Sequence, residues 1–326
     1  MKQTLTIVVP VYNEAETVDL FYAEVKRVMS ALSSRVQARI LFVDDGSEDE
    51  TKAIISKMSE VNEDVGYLSF SRNFGKEAAM LAGLSEATGE LVAVMDADLQ
   101  DPPSLLPEMI RRIDDEGYDV VCTRRNTRNG EPLLRTFFTN CYYGLMGRIS
   151  KTPIINGARD FRMMTRPVVE AVLSLGEYNR FSKGLFSWVG FKQSWIAYDN
   201  VPRSAGKSKF SYKKLFYYAA DSVLSFSTAP ILGTAVLGLL FCLIAFVMIA
   251  VIIIKTVVLG DSTNGWPSLA CIVLLVSGVQ MMGIGIVGAY LSKVYMETKK
   301  RPLYIIKEKN VKTEQPQKNV QKNRMF

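Results

Sequence analysis

Short apolar runs rich in β-branched residues alternate with longer amphipathic runs over the first 125 residues of the chain. This alternation is typical of βαβ units, in which a helix returns the chain from one strand to the next. Because the strand runs are apolar on both faces, they predict a parallel sheet covered by helices on both sides. The predicted strands are residues 5–9, 39–43, 66–70, 91–95 and 119–123, and the predicted helices are residues 15–32, 49–61, 76–87 and 104–116.

Two later segments, residues 222–254 and 262–292, contain no charged residue. Each exceeds the about 20 residues that a helix needs to cross the hydrocarbon core of a bilayer. We therefore predict two transmembrane helices, at about residues 231–254 and 269–291. Basic residues flank their outer ends, whereas the connecting loop has only Lys255 at its edge, so the positive-inside rule places both termini in the cytoplasm.

Aromatic segments at residues 135–150 and 212–226 carry Lys or Arg at their edges. Such segments suit the headgroup layer and predict interfacial helices, with buried core helices as the alternative. Residues 307–326 hold six basic residues against two acidic ones, which predicts a disordered tail held loosely by anionic lipid. The surplus charge lies beside the spans and in the tail, which disfavours a nucleic-acid partner.

The composition limits the chemistry. The 326 residues include 39 Lys and Arg, 33 Asp and Glu and no histidine, for a net charge of +6. Without histidine, a Ser-His-Asp or Cys-His nucleophile, a His-ligated zinc site and an imidazole proton shuttle are excluded. Any acid, base or metal ligand must therefore be a carboxylate, an amide, a lysine or a tyrosine.

Polar residues follow the first two predicted strands, where open α/β sheets bind their ligands. Pro10, Tyr12 and Glu14 follow the first, and Tyr12 can stack on a flat base while Glu14 accepts from a hydroxyl; the alternative is a turn before a helix. Asp44 and Asp45 follow the second and can accept from a ribose hydroxyl or a base N–H; the alternative is helix capping.

The fourth predicted strand ends in the run Asp96-Ala-Asp98-Leu-Gln100. Two carboxylates one residue apart, leaving a buried strand, repel each other unless a positive group lies between them. A hard divalent cation is the natural partner, because it binds one or two carboxylates and bridges substrate phosphates. The run therefore predicts a divalent metal site.

Several cationic and aromatic residues have two interpretations each. Lys76 either neutralises a phosphate at a helix start or is a surface charge, and Trp188 and Trp195 are expected to pack the domain. Arg124 follows the fifth predicted strand. Together with Arg203, Lys207 and Lys209, which precede the second aromatic segment, it predicts a site for a lipid phosphate; the alternative is solvated surface charge.

Five runs in order, VPVYNEAET, VDDGSEDET, SRNFGKEAA, VMDADLQDPP and NRFSKGLFSWVGF, are followed by the two spans. This set resembles the family 2 polyprenyl-phosphate glycosyltransferases of GT-A fold, which include dolichyl-phosphate mannose synthase and the bactoprenol glucosyltransferases. The resemblance covers about residues 4–300. It implies a GT-A catalytic domain over residues 1–211, a juxtamembrane amphipathic helix over 212–228, transmembrane helices over 229–292 and a cytoplasmic basic tail over 293–326.

The resemblance also implies roles for residues of this chain. Pro10, Tyr12, Glu14, Asp44, Asp45, Lys76 and Asp96 would bind the nucleotide sugar; Asp96, Asp98 and Gln100 would hold Mg²⁺ or Mn²⁺; Asp160, Asp98 and Arg203 would be catalytic; and Arg124, Arg203, Lys207 and Lys209 would bind the lipid phosphate. Asp160 either orients a hydroxyl of sugar or acceptor, acts as a base, or pairs with Arg159 or Arg162.

The implied reaction transfers a hexose, glucose or galactose, from a UDP-sugar to undecaprenyl phosphate at the bacterial inner membrane, with inversion at the anomeric carbon. No strong base is needed, because a phosphate monoester with a second pKa near about 6 is largely dianionic at neutral pH. The alternatives are a GDP-mannose or UDP-aminopentose donor, or a non-catalytic nucleotide-sugar-binding membrane subunit. The sugar and the oligomeric state stay open, and a homo-oligomer is one option.

Overall fold

The computed structural model describes residues 2–125, 144, 157–199, 223, 229–259 and 265–311. Nearly all of the predicted interfacial segments, and the candidate phosphate ligands Arg203, Lys207 and Lys209, lie outside the described residues. The chain divides into two compact units, one formed by residues 1–143, 153–209 and 302–326 and the other by residues 144–152 and 210–301.

The first unit is an α/β domain. Its elements are β1 (Gln3–Val11), α1 (Val18–Ser30), β2 (Val36–Asp44), α2 (Thr51–Val61), β3 (Val65–Phe70), α3 (Lys76–Glu86), β4 (Leu91–Val94), a 3₁₀ turn (Pro103–Leu105), α4 (Leu106–Glu116), β5 (Val120–Arg125), β6 (Ala158–Thr165), α5 (Arg166–Ser174), α6 (Ser182–Trp188), β7 (Gln193–Tyr198) and β8 (Ile306–Asn310). The five predicted strands and four predicted helices are confirmed, with shifted ends. Helix α1 begins three residues late because Thr17 folds back on Glu14, to whose carbonyl its N–H donates at 2.9 Å.

The strands form one eight-stranded sheet in the order β7-β5-β6-β4-β1-β2-β3-β8. Strands β4, β1, β2 and β3 are mutually parallel, as the βαβ pattern predicts. Strand β6 is inserted antiparallel between β4 and β5, and β7 pairs parallel to β5. Adjacent parallel strands therefore bring the ends of β1, β2 and β4 to one edge of the sheet.

Helices cover both faces of the sheet. Phe21 of α1, Ile55 of α2 and Met109 of α4 pack on one face, where they join Ile7 of β1 in a single apolar core. The opposite face carries α3 and α5 and includes Val8, the next residue along β1. Because successive strand residues point to opposite faces, one apolar strand serves both cores.

The prediction of a disordered tail is wrong for its first residues. Strand β8 pairs antiparallel with the edge strand β3 and is held by side-chain contacts as well. Glu308 forms an ion pair with Lys52 at 2.7 Å and accepts a hydrogen bond from the Tyr67 hydroxyl, and Lys309 binds Glu86 at 2.9 Å. In a sequence, a charged edge strand resembles a polar tail, because edge strands commonly carry lysine on their open side.

The second unit contains two long helices, α7 (Ala229–Leu259) and α8 (Trp266–Thr298), and both predicted spans lie within them. Their stretches Ala229–Ile252 and Leu275–Thr298 are long and apolar enough to cross a membrane and are not buried within the structure. Helix α8 continues through residues that were predicted as the start of the tail.

Gly83 sets the approach of α3 to the sheet, which leads to a stability prediction. A Cβ at this position would lie 2.1 Å from Val8 Cγ1, and Val8 is fully buried on a central strand. We expect Gly83→Ala to destabilise the domain by about 1–3 kcal/mol through overpacking, although helix propensity alone favours alanine by about 1 kcal/mol. Thermal unfolding of the detergent-purified protein measures this, with Gly176→Ala, where the new Cβ meets nothing within 4 Å, as the control. Equal melting temperatures for the two variants would contradict the close approach.

Candidate functional site

The candidate residues meet at the carboxyl ends of β1, β2 and β4, the edge where open α/β sheets bind ligands. The antiparallel strand β6 contributes a fourth side chain, because its register pairs Val94 with Arg162. Asp96 lies two residues after Val94 and Asp160 two residues before Arg162, so the antiparallel register brings them side by side, where Lys76 contacts both. The sheet thus brings together acidic residues that are far apart in the sequence.

The loops after β1 and β2 are hydrogen-bonded to each other. The Asn13 N–H donates to Ser47 Oγ at 3.0 Å, and Asn13 Oδ1 accepts from the Glu48 N–H at 2.9 Å. The Glu14 N–H donates to Thr51 Oγ1 at 2.8 Å. Asn13 has a positive φ of 53°, a conformation that asparagine tolerates. Pro10, Tyr12 and Glu14 are thereby placed, half-buried, on one rigid loop pair, and their contact with a nucleotide stays a prediction.

Asp44 closes the turn after β2. Its carboxylate accepts from the Ser47 N–H at 2.9 Å and from Ser69 Oγ at 2.7 Å, and its side chain is buried. The helix-capping alternative is wrong for this residue, because α2 begins at Thr51 with Glu50 at its N-cap position, and Asp44 instead closes the turn at Ser47. Contact between Asp44 and a nucleotide remains a prediction, with both carboxylate oxygens already engaged.

Asp45 fixes the segment that leads into α3. Its carboxylate accepts from the Phe74 N–H at 2.6 Å and from the Gly75 N–H at 2.9 Å. Burial raises the pKa of Asp45 above its ordinary value, against the lowering effect of these bonds. At Gly46, φ is +69° and a Cβ would lie 2.4 Å from the Arg72 carbonyl carbon. Only glycine therefore lets the turn after β2 contact the segment that leads into α3.

Lys76, the first residue of α3, lies between two carboxylates. Its Nζ is 2.6 Å from Asp96 Oδ1, 2.9 Å from Asp96 Oδ2 and 2.5 Å from Asp160 Oδ2. Lys183 of α6 approaches the other oxygen of Asp160 at 3.9 Å. Two acidic residues at the strand ends are thus neutralised by two ammonium groups from helices.

The ionisation of this cluster follows from its charges. Burial alone would raise the pKa of Asp160, but Lys76 and Lys183 hold it well below its ordinary range. Burial alone would lower the pKa of Lys76, but Asp160 and Asp96 raise it above its ordinary range. Asp160 and Lys76 are therefore both charged at neutral pH.

Asp96 and Asp98 offer the hard oxygen ligands that Mg²⁺ and Mn²⁺ prefer. A positive φ of 56° at Leu99 turns the chain back, and the Gln100 N–H donates to Asp98 Oδ1 at 3.1 Å. Among the described residues no group of three His, Cys, Asp or Glu side chains converges as a ready metal cage. Because two carboxylates alone do not complete the coordination of such an ion, the pair fits a cation that takes its remaining ligands from water and substrate.

Gln100 belongs to a second, partly buried network. Its Oε1 accepts from Arg125 Nη2 at 2.8 Å and from Arg159 Nη2 at 3.4 Å. Asp101, which is 0% exposed, accepts from Arg159 Nε at 3.0 Å and from the Tyr198 hydroxyl. Burial and the Asp101 carboxylate raise the pKa of Tyr198 to about 12. Metal ligation by Gln100 stays a prediction; here its oxygen faces two guanidinium groups.

The alternative in which the Asp160 carboxylate pairs with Arg159 or Arg162 is wrong. The carboxylate binds Lys76 and Lys183 instead, while the Arg159 side chain binds Asp101. Arg162 donates to the main-chain carbonyl of Asp160 at 3.2 Å and lies 4.0 Å from the Phe186 ring. Arg159 points to the opposite face of β6 from Asp160, whereas Arg162 shares its face but is engaged by a main-chain carbonyl and an aromatic ring.

Glu77 connects α3 to α6. It accepts hydrogen bonds from the Ser182 N–H, at 3.0 Å, and from the Ser182 hydroxyl. Burial raises the pKa of the Glu77 carboxyl above its ordinary value, in opposition to the Ser182 bonds. This contact anchors the start of α6 and so positions Lys183 beside Asp160.

The expectation that both tryptophans pack the domain is wrong for one of them. Trp188 is 62% exposed at the end of α6, whereas Trp195 packs against the core that α3 and α5 cover. Arg124 is exposed on β5, and its role as a phosphate ligand stays a prediction.

Contributors to the site that the sequence-based set lacked include Lys183, Asp101 and Tyr198. Lys183 lies in the run NRFSKG and Asp101 in the run DLQD, so a motif signal existed for both. Tyr198 carries no local signal, because only the pairing of β7 with β5 brings it to this edge.

Comparison with known proteins assigns the family. The family model described as Glycosyl transferase family 2 matches residues 6–173. A prophage bactoprenol glucosyl transferase homolog of Escherichia coli K12 is 40% identical over 303 residues, which are 93% of this chain and 98% of that protein. The bactoprenol glucosyl transferase of Shigella phage SfV is 40% identical over 308 residues, or 94% of this chain and 99% of that protein.

A solved structure of glucosyl-3-phosphoglycerate synthase from Mycobacterium tuberculosis, in complex with Mn²⁺ and UDP-glucose, is similar with a TM-score of 0.43 and 18% identity, over 68% of this chain and 77% of that one. The family match, the two relatives and the mostly parallel sheet confirm the resemblance drawn from the motifs, together with the GT-A fold that it implies. The chain is a member of glycosyl transferase family 2 and a glycosyltransferase.

Proposed function

We propose that this chain is an inverting glycosyltransferase that moves glucose or galactose from a UDP-sugar to undecaprenyl phosphate at the cytoplasmic leaflet of a bacterial inner membrane, for modification of a cell-envelope glycan. The observation that carries the proposal is similarity over nearly the whole chain: relatives named bactoprenol glucosyl transferases align with 93–94% of it at 40% identity. The aligned length includes the two long apolar helices, which suit a lipid acceptor.

The charges of the site suit the proposed reaction. An oxygen of the acceptor phosphate attacks the anomeric carbon, the bond to the diphosphate breaks, and UDP leaves with the electron pair. A Mg²⁺ or Mn²⁺ ion held by Asp96 and Asp98 would stabilise the negative charge on that leaving group when bound. Single displacement inverts the anomeric centre, so an α-linked donor gives a β-linked lipid product.

Asp160 is better suited to orienting a hydroxyl than to accepting a proton. Lys76 and Lys183 keep its pKa well below its ordinary range, whereas an efficient general base has a pKa near the working pH. The acceptor itself arrives as a dianion at neutral pH, so the reaction needs no protein base. We therefore assign Asp160 the role of orienting a sugar hydroxyl, and Lys183 the role of keeping the Asp160 carboxylate ionised.

The membrane arrangement follows the basic residues of the sequence. Helices α7 and α8 cross the bilayer as a pair, with the α/β domain and both termini in the cytoplasm. The basic run at residues 203–209 would then meet the acceptor phosphate.

A donor assay tests the proposed function. The full-length protein in detergent is mixed with undecaprenyl phosphate, Mn²⁺ or Mg²⁺ and one radiolabelled donor at a time: UDP-glucose, UDP-galactose, a UDP-aminopentose or GDP-mannose. We expect labelled lipid from UDP-glucose or UDP-galactose and loss of product in EDTA. Transfer from GDP-mannose or the aminopentose alone would reassign the donor, and no transfer from any donor would contradict the proposal.

Asp98→Asn should remove the metal-dependent rate. We expect kcat to fall by about 10²-fold or more, because an amide cannot replace the charge that binds the ion. Asp115→Asn, an exposed carboxylate at the end of α4, is the matched control and should retain activity. Initial rates at saturating Mn²⁺ measure both, and comparable rates for the two variants would show that Asp98 holds no essential metal.

The pH profile separates a base from an orienting carboxylate. A depressed pKa keeps Asp160 ionised as the pH falls through 6, so Asp160 does not titrate there. We expect the rate to fall near pH 6 because the acceptor phosphate, with its second pKa near about 6, takes up a proton. We expect Asp160→Asn to lower kcat at every pH and to leave this acid limb in place. Measurement of kcat between pH 5 and pH 9 decides, since loss of the limb in Asp160→Asn would make Asp160 the base.

A further inference from the structure

Lys76 engages the carboxylate that the metal is expected to use. Its Nζ lies 2.6 and 2.9 Å from the two oxygens of Asp96, so the ammonium takes both oxygens. A divalent cation bound to Asp96 would have to lie within a few ångströms of the same ammonium. Two like charges at that distance repel strongly, so the Lys76 contact and metal binding at Asp96 exclude each other in this geometry.

The backbone just before Lys76 is fixed, whereas the end of the Lys76 side chain can move. Asp45 holds the N–H groups of Phe74 and Gly75, which fixes the backbone just before Lys76. Its side chain is 40% exposed and ends four carbons from that anchored backbone. The ammonium can therefore leave Asp96 by side-chain rotation alone, on the timescale of rotamer changes.

Asp160 allows such a movement without losing all of its compensation. Lys183 approaches Oδ1 of this carboxylate at 3.9 Å, whereas Lys76 contacts Oδ2. The Glu77–Ser182 contact anchors α6 and keeps Lys183 there independently of Lys76. Asp160 therefore keeps the Lys183 ammonium as a counter-ion even if Lys76 moves away.

We propose that Lys76 is a built-in counter-ion of the metal site: in the metal-free protein it joins Asp96 to Asp160, and an entering divalent cation displaces it from Asp96. Lys76 is then a positioning residue that keeps the two carboxylates together before the metal arrives and opposes metal binding in the absence of substrate. The proposal rests on the proposed function only in taking Asp96 as a metal ligand.

The first test measures Mn²⁺ binding without nucleotide or acceptor. Free Mn²⁺ is determined by electron paramagnetic resonance during titration of the full-length protein. We expect Lys76→Met, which keeps the side-chain length and removes the charge, to bind Mn²⁺ about 5- to 10-fold more tightly than the unsubstituted protein, because no ion pair has to be broken. Lys76→Arg keeps the charge and should bind within twofold of the unsubstituted protein.

Lys183→Met is the matched control. It removes one positive charge next to Asp160 but none that contacts Asp96, so its Mn²⁺ affinity should change by less than twofold. An equal increase of Mn²⁺ affinity in Lys76→Met and Lys183→Met would show that the effect comes from the loss of any nearby positive charge, and it would overturn the proposal. Unchanged or weaker affinity in Lys76→Met would overturn it as well.

Asp98→Asn separates this proposal from the proposed function. If Asp98→Asn loses Mn²⁺ binding while Lys76→Met binds like the unsubstituted protein, the metal site stands and only the counter-ion role fails. If Asp98→Asn binds Mn²⁺ normally, the metal site assigned to Asp96 and Asp98 is misplaced and the counter-ion proposal fails with it, while the donor assay still decides the proposed transfer reaction.

A second measurement needs no substitution at Lys76. Amine acetylation of the unsubstituted protein, followed by peptide mass spectrometry, should modify Lys76 at least about twofold faster with saturating Mn²⁺ than in EDTA, because the neutral amine is the form that reacts and release from Asp96 removes a carboxylate that favours the protonated form. Lys52, whose ion pair with Glu308 has an N···O distance of 2.7 Å and which is 35% exposed, should react equally in both. Equal rates for Lys76 with and without Mn²⁺ would overturn the displacement even if Lys76→Met fails to fold.

Discussion

Mutual repulsion of carboxylates at one edge of the sheet is the constraint around which the α/β domain is arranged. Parallel strands deliver Asp96 at the end of β4, and the antiparallel strand β6 delivers Asp160 next to it. Two buried or half-buried carboxylates in contact are costly unless a cation compensates them. Lys76 supplies that cation from the first residue of α3.

The placement of α3 is therefore part of the site. The helix lies close against β1 because Gly83 has no side chain to separate it from Val8. The segment before its N-terminal end is fixed by the buried Asp45 carboxylate, which accepts from the Phe74 N–H. The backbone at Arg72 can approach this carboxylate because Gly46 has no side chain. Residues first considered as nucleotide contacts thus determine where an ammonium group lies, and the two roles do not exclude each other.

Sequence patterns recovered the elements that depend on local chemistry. Strands β1 to β5 are apolar on both faces, and helices α1 to α4 have one apolar face, so both are visible as periodicity. The carboxylate motifs were visible as well, because strand ends in this topology are a known place for ligands. Strand β8 was missed because its pairing to β3 depends on Lys52, Tyr67 and Glu86, which are more than 200 residues away in the chain. The exposure of Trp188 and the partners of Asp160 were missed for the same reason, since each is decided by tertiary neighbours.

The absence of histidine shapes the chemistry as well as the fold. Proton transfer near neutral pH would require a carboxyl or a lysine with a pKa moved toward 7. Asp160 and Lys76 are moved the other way, each stabilised in its charged form by the other. Such a pair is poorly suited to exchanging protons and well suited to holding fixed charge near a diphosphate and a phosphate. The proposed phosphate acceptor would already carry its nucleophilic oxygen in the ionised form, so compensation of charge would be the main task left to the protein.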